Sequence, residues 1–181
     1  KNSENTNFTF LNSFSNVLNE VVGKTSFPLN VYKIGTVDKQ SHNQLSRRGE
    51  NAFCNLVADG MRILAEADVT ILNAGSVRED INEGDITYQE VINTMPFSKY
   101  IYTKEITGQA ILDALEFGVR TLPNATSRFP QVSGITYKID ISIDSSVVVD
   151  KDEIFERVSG ERRVYDVKIN GEDLNPRKWN Y

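Results

Sequence analysis

The stretch Asp68-Val69-Thr70-Ile71-Leu72-Asn73-Ala74-Gly75-Ser76-Val77-Arg78 decides the fold class. Residues 68–73 form a short apolar run with no room for a helix, and they read as a buried strand. Ala74-Gly75-Ser76 breaks the run. Just upstream, residues 51–66 predict the clearest helix. Phe53, Leu56, Val57, Gly60 and Leu64 mark one face, and Asn55, Asp59, Arg62 and Glu66 the other. Helix, strand and small-residue turn in that order predict an α/β fold.

Working outward, residues 8–22 predict an amphipathic helix, with Phe10, Leu11, Phe14, Leu18, Val21 and Val22 at spacings of three, four and seven, and Gly23 as its stop. A short strand is expected at residues 31–34, followed by a polar stretch to Glu50. Thr87-Tyr88-Gln89-Glu90 is a capping box that opens a short helix. Pro96 forces extension at Met95. Residues 100–106 alternate like a strand. Thr107 caps a helix with Ile111, Ala114, Leu115 and Val119 inward. Residues 120–130 read as loop, 135–141 and 164–169 as strands, and Val147 to Val149 as part of a hairpin or insertion.

The chain has 181 residues, which suits one domain. It holds one His (His42) and one Cys (Cys54). That excludes a His- or Cys-rich metal site and an intrachain disulfide, and a Ser-His-Asp triad would have to use His42. His42 reads as a solvated loop residue, and Cys54, beside Phe53, Leu56 and Val57, as a small core residue. The net charge of −5 argues against a general nucleic-acid or anionic-membrane binder. It leaves room for a small anion held by a few converging Arg. No apolar run is long enough for a transmembrane helix, and no signal peptide is visible. The start Lys1-Asn2-Ser3 reads as an internal cut, and Trp179-Asn180-Tyr181 as the beginning of a strand.

Three places could carry chemistry. Residues 68–73 deliver Asn73 to the carboxyl end of a strand, where ligands bind in α/β folds. Ala74-Gly75-Ser76 would let the backbone approach a ligand and aim N–H groups at an anion, and Arg78 adds a planar fork suited to phosphate. From spacing alone, the alternative is a tight turn with a solvated Arg. Arg47-Arg48 precedes a helix N-terminus, which favours anions, although a dibasic surface loop would look the same. Phe97 is either core or a platform for a base.

These pieces resemble, in order, the C-terminal domain of the 5'-nucleotidase family. The similarity runs from about Val21-Val22-Gly23-Lys24-Thr25 to Tyr181. It rests on residues 47–61 (family pattern R-x-x-E-x-x-x-x-N-L-x-x-D-x-M) and on residues 71–78. Gly84-Asp85-Ile86-Thr87-Tyr88, Met95-Pro96-Phe97, Ile106-Thr107-Gly108 and Gln131-Val132-Ser133-Gly134 follow in the family's order. Ala74-Gly75-Ser76-Val77-Arg78 departs from the common Gly-Gly-Gly-Ile-Arg, and residues 142–163 exceed the family's usual hairpin.

The resemblance implies a layered α/β/β/α structure with mixed sheets. Residues 1–22 would be the end of an interdomain linker helix, and residues 23–181 the domain itself, truncated at its C-terminus. Arg47 and Arg78 would bind phosphate, Asn73 and Gly75 would lie at the nucleoside, and Phe97 would stack on the base, while Arg48 has no counterpart. The second stacking aromatic would lie beyond Tyr181. The chain itself would bind no metal and hold no catalytic residue. Two divalent metal ions would sit in a preceding metallophosphoesterase domain, which performs the hydrolysis of nucleotide phosphate esters. An exported location is implied: extracellular, cell-wall or periplasmic. The other readings are a non-catalytic nucleotide-binding or adhesion module, and a relative acting on 2',3'-cyclic nucleotides, UDP-sugars or a sulfur compound.

Overall fold

A computed structural model describes residues 15–33, 39–40, 43–97, 100–179 and 181. Strand β1 (Val21–Thr25) pairs with β3 (Gly84–Thr87), and β2 (Thr70–Asn73) with β4 (Pro130–Ser133). β5 (Ile135–Ile139), β8 (Val164–Ile169) and β9 (Glu172–Asp173) form a sheet in the order 5-8-9, and β6 (Val147–Val149) pairs with β7 (Phe155–Val158) as a hairpin. Three helices of seven residues or more lie among the described residues: α1 (Ala52–Leu64), α2 (Tyr88–Thr94) and α3 (Gly108–Val119). The fold is α/β, and every described strand pairing is antiparallel.

Two cores hold it. Phe53, Cys54 and Ala58 of α1 pack with Leu29, Val31, Tyr32, Leu72, Val77 and Ile81. Ile111, Leu115 and Val119 of α3 pack with Ile135, Val164, Val167 and Ile169. Leu72 belongs to the first core and Ala74 to the second, so β2 and its turn lie between them. Each element start is locally encoded. The Thr87 hydroxyl accepts from Glu90 N–H while the Glu90 carboxyl accepts from Thr87 N–H, a complete capping box. Thr107 Oγ1 caps α3 through Ala110 N–H at 3.1 Å, and Asn51 Oδ1 caps α1 through Cys54 N–H at 3.1 Å.

Several expectations change. Val21 and Val22 lie in β1, not in a helix: residues 15–18 are helical, and residues 8–14 lie outside the described residues. The long-range pairing with β3 overrides the local 3.6-residue period. On α1 the inward face is Phe53, Cys54 and Ala58, whereas Leu56 and Leu64 are exposed. Small side chains let the helix approach β2 and β4 closely. Ala114 is likewise exposed. Within 68–73 only Leu72 is buried, because the outer side of β2 opens onto a groove. Residues 100–106 carry no strand pairing among the described residues, and 31–33 contribute only a bridge from Tyr32 to Gln44. Tyr181 forms no strand, and its N–H donates to Ile106 O at 3.3 Å. His42 and Ile34 lie outside the described residues.

Cys54 is fully buried, and burial pushes its thiol up to about 11. Below pH 9 the thiol is protonated in both folded and unfolded chains and contributes no pH dependence. Above the usual value of 9.0 the unfolded thiol ionises first, so stability falls as pH rises toward 11. The loss is about 3 kcal/mol by area of the shift. Two results are expected. Iodoacetamide at pH 8 leaves Cys54 unmodified until denaturant is added. Urea midpoints drop between pH 9 and 11, and that share of the drop is missing in Cys54→Ala.

Candidate functional site

Four segments converge beside the turn after β2. The first is residues 44–51, which run through a 3-10 turn, Leu45–Arg47, into α1. The second is Asn73 and the 3-10 turn Ala74–Ser76, with Arg78 following. The third is residues 126–131, and the fourth residues 94–97.

Residues 126–131 stitch the others together. Thr126 N–H donates to Arg47 O at 3.0 Å, Gly75 N–H to Ser127 O at 3.0 Å, and Ala74 N–H to Phe129 O at 2.9 Å. Gln131 Nε2 donates to Ser46 O and Gly49 O, each at 2.8 Å, while its Oε1 accepts from Asn51 N–H at 3.1 Å. The backbone on both sides of Arg47 is therefore fixed from β4. Arg78 N–H donates to Thr94 O at 2.8 Å, which ties the segment leading to Phe97 onto the same frame.

The predicted residues take these places. Arg47 is only 8% exposed, and its Nε donates to Gln44 Oε1 at 2.6 Å. Burial holds its guanidinium below its ordinary pKa, and the positive charge of Arg78 adds to the depression. Arg78 lies over the Phe97 ring, 5.9 Å from its centroid. Phe97 is 50% exposed. It lines, with Asn73, Ser76 and Met95, a groove of about 940 Å³ whose remaining lining comes from residues 65–72, 100–106, Met61 and Tyr181. Asn73 is exposed; its Nδ2 donates to Ser127 O at 3.2 Å, and its Oδ1 accepts from Ser76 Oγ at 2.6 Å.

Gly75 works differently from the sequence reading. It is buried, and a Cβ there would stand 2.8 Å from Ser127 Cβ. Its bare backbone admits Ser127, and its N–H is used by Ser127 O instead of facing a ligand. Two site residues had no sequence signal. Gln44 and Ser127 lie in stretches read as plain polar loop, and their partners are 33 or more residues away for Val77 and Arg78, and 54 away for Asn73. Among the described residues, no group of three or more His, Cys, Asp or Glu side chains converges. No described helix is long and apolar enough to cross a membrane.

An α/β module with Arg78 set over a half-exposed Phe97 at the rim of an open groove is what this fold and geometry define. Residues 33–179 match the family described as 5'-nucleotidase, C-terminal domain, and the chain belongs to that family. It is 36% identical over 137 residues to the trifunctional nucleotide phosphoesterase protein YfkN of Bacillus subtilis, covering 74% of this chain and 9% of that protein. It is 32% identical over 108 residues to a 5'-nucleotidase of Vibrio parahaemolyticus, covering 60% of this chain and 19% of the relative. A 5'-nucleotidase precursor from Thermus thermophilus has the same fold, with a TM-score of 0.71 at 24% identity over 98% of this chain and 31% of that one. The chain therefore spans less than a third of the length of each.

Proposed function

We propose that this chain grips the substrate for a 5'-nucleotidase-type phosphoesterase. Arg47 and Arg78 hold the phosphate, the Phe97 face stacks on the base, and Asn73 contacts the nucleoside. Gly75 serves by admitting Ser127, which braces Asn73. The observation that carries this reading is an Arg78 guanidinium set over a half-exposed aromatic ring, with a buried Arg47 tied through Gln44 to the backbone at Arg78. Planar guanidinium forks suit phosphate oxygens, and an aromatic face suits any base.

Hydrolysis belongs, on this reading, to a metallophosphoesterase domain outside these residues, holding two divalent metal ions. The described residues offer no metal-ligand cluster for them, so no reaction step is assigned to this chain. Its contribution is orientation, which can account for a large part of a phosphoryl-transfer barrier. An exported location, outside the cytoplasm, goes with the proposal.

The test is direct. AMP titrated into the 181-residue chain is expected to shift the NMR signals of Arg78, Phe97 and Asn73, with no release of phosphate even when manganese is added. Binding that leaves those three signals unmoved, or no binding at millimolar AMP, would refute the assignment. Turnover of AMP by the purified chain would refute the division of labour.

A further inference from the structure

We propose that Gln44 is the positioning residue of the anion site, an amide that aims the Arg47 guanidinium and anchors the backbone at Arg78 without neutralising either charge. The inference rests on the phosphate-binding reading of those two arginines and adds the element that ties them together.

Gln44 is fully buried. Its side chain uses both ends of the amide. Oε1 accepts from Arg47 Nε at 2.6 Å, which fixes the rotation of that guanidinium about its stem. Nε2 faces Val77 O, Arg78 O and Tyr32 OH, each at 3.3 Å. The backbone carbonyl of Arg78 is therefore held by the same side chain that holds Arg47. Tyr32 is itself anchored: its OH donates to Lys39 O at 2.8 Å, and its N–H donates to Asp80 Oδ1 at 3.2 Å. The amide is thus fixed from a third side, and it cannot turn away without leaving buried polar groups unmatched.

The choice of amide has a chemical reason. A carboxylate at this position would also accept from Arg47, and more strongly. It would then cancel the positive charge that an incoming phosphate must meet, and it would set negative oxygens against the Val77 and Arg78 carbonyls. An apolar side chain would leave Arg47 free to rotate. A neutral group with an acceptor at one end and donors at the other orients one arginine and anchors the other while both charges remain available.

The experiment compares AMP with adenosine as probes, using the intact chain and three variants. In Gln44→Met and Gln44→Glu, AMP affinity is expected to fall about tenfold, while adenosine affinity stays within twofold of the unaltered chain. The Arg47 Nε–H signal is expected to resist solvent exchange in the unaltered chain and to lose that protection in Gln44→Met. A merely structural role would weaken both probes together. Arg78→Ala separates the two layers of the argument. If Arg78→Ala binds AMP like the unaltered chain, or if that chain binds no AMP, the phosphate reading fails and takes this inference with it. If Arg78→Ala weakens AMP and both Gln44 variants do not, the phosphate reading stands and the role of Gln44 is overturned. Should Gln44→Met not fold, Gln44→Glu and the Arg47 Nε–H exchange in the unaltered chain decide the matter. An unprotected Arg47 Nε–H there would overturn the inference alone.

Discussion

Glu116→Ala is expected to cost about 3–5 kcal/mol, a large loss for one side chain, because two buried N–H groups would lose their acceptors. Glu116 lies in α3 and is fully buried. Its Oε1 accepts from Arg163 N–H and its Oε2 from Val164 N–H, both at 2.9 Å, so the start of β8 hangs on this one side chain. Alanine would leave two buried N–H groups without acceptors, and it would open a cavity beside Val119 and Val164. Arg163 depends on the same arrangement. Its guanidinium donates to Ile143 O at 2.6 Å and Leu122 O at 2.9 Å, beyond the last turn of α3. For a chain of this size the loss corresponds to roughly 6–20 °C in Tm. Glu116→Gln should be milder, because its carbonyl oxygen still satisfies one of the two N–H groups while its NH₂ opposes the other. Urea unfolding of the three proteins checks the order. A loss under 1 kcal/mol for Glu116→Ala would show that the start of β8 finds other acceptors.

This pair also marks the boundary of what the sequence makes legible. Local signals are read correctly where the partners are a few residues apart. The Thr87–Glu90 capping box and the Thr107 cap behave as their residue types require. Arg78, Asn73 and Phe97 stand out as candidates for a related reason: a strand end followed by small residues, and a Pro-Phe in a loop, are short patterns. Positions set by distant partners are not. Val21 and Val22 sit at helical spacing, yet both lie in β1, whose partner strand β3 is about sixty residues on. The inward face of α1 turns on Cys54 and Ala58, whose value is their small size against β2 and β4, and no periodicity of large apolar residues announces that. Gln44 is a polar residue in a polar stretch until Val77 and Arg78 fold over it. Arg47 and Arg48 are equivalent as a dibasic pair in the sequence; the structure buries the first and exposes the second. The family resemblance supplies what spacing cannot, namely which of the two to choose.

Arg78→Ala carries the largest functional effect expected from the site. On the proposed reading, with this chain joined to a metallophosphoesterase domain, kcat/KM for AMP should fall about 5- to 150-fold, the equivalent of roughly 1–3 kcal/mol for a charge-assisted hydrogen bond to phosphate. Arg78→Lys should recover only part of the loss, because an ammonium keeps the charge but not the two-pronged geometry. Phe97→Ala should weaken AMP and leave glycerol phosphate, which has no base to stack, within about twofold; stacking on one base contributes about 1–3 kcal/mol. The two substitutions are not independent. The Arg78 guanidinium stands 5.9 Å from the Phe97 centroid, so each side chain limits where the other can go. The double variant should therefore lose less than the sum of the single losses, by about 0.5–1 kcal/mol. Additive losses would mean that the ring and the guanidinium act on separate parts of the substrate without supporting one another. Unchanged kinetics in Arg78→Ala would remove it from the site, and equal losses for AMP and glycerol phosphate in Phe97→Ala would make the ring a packing residue instead of a base platform.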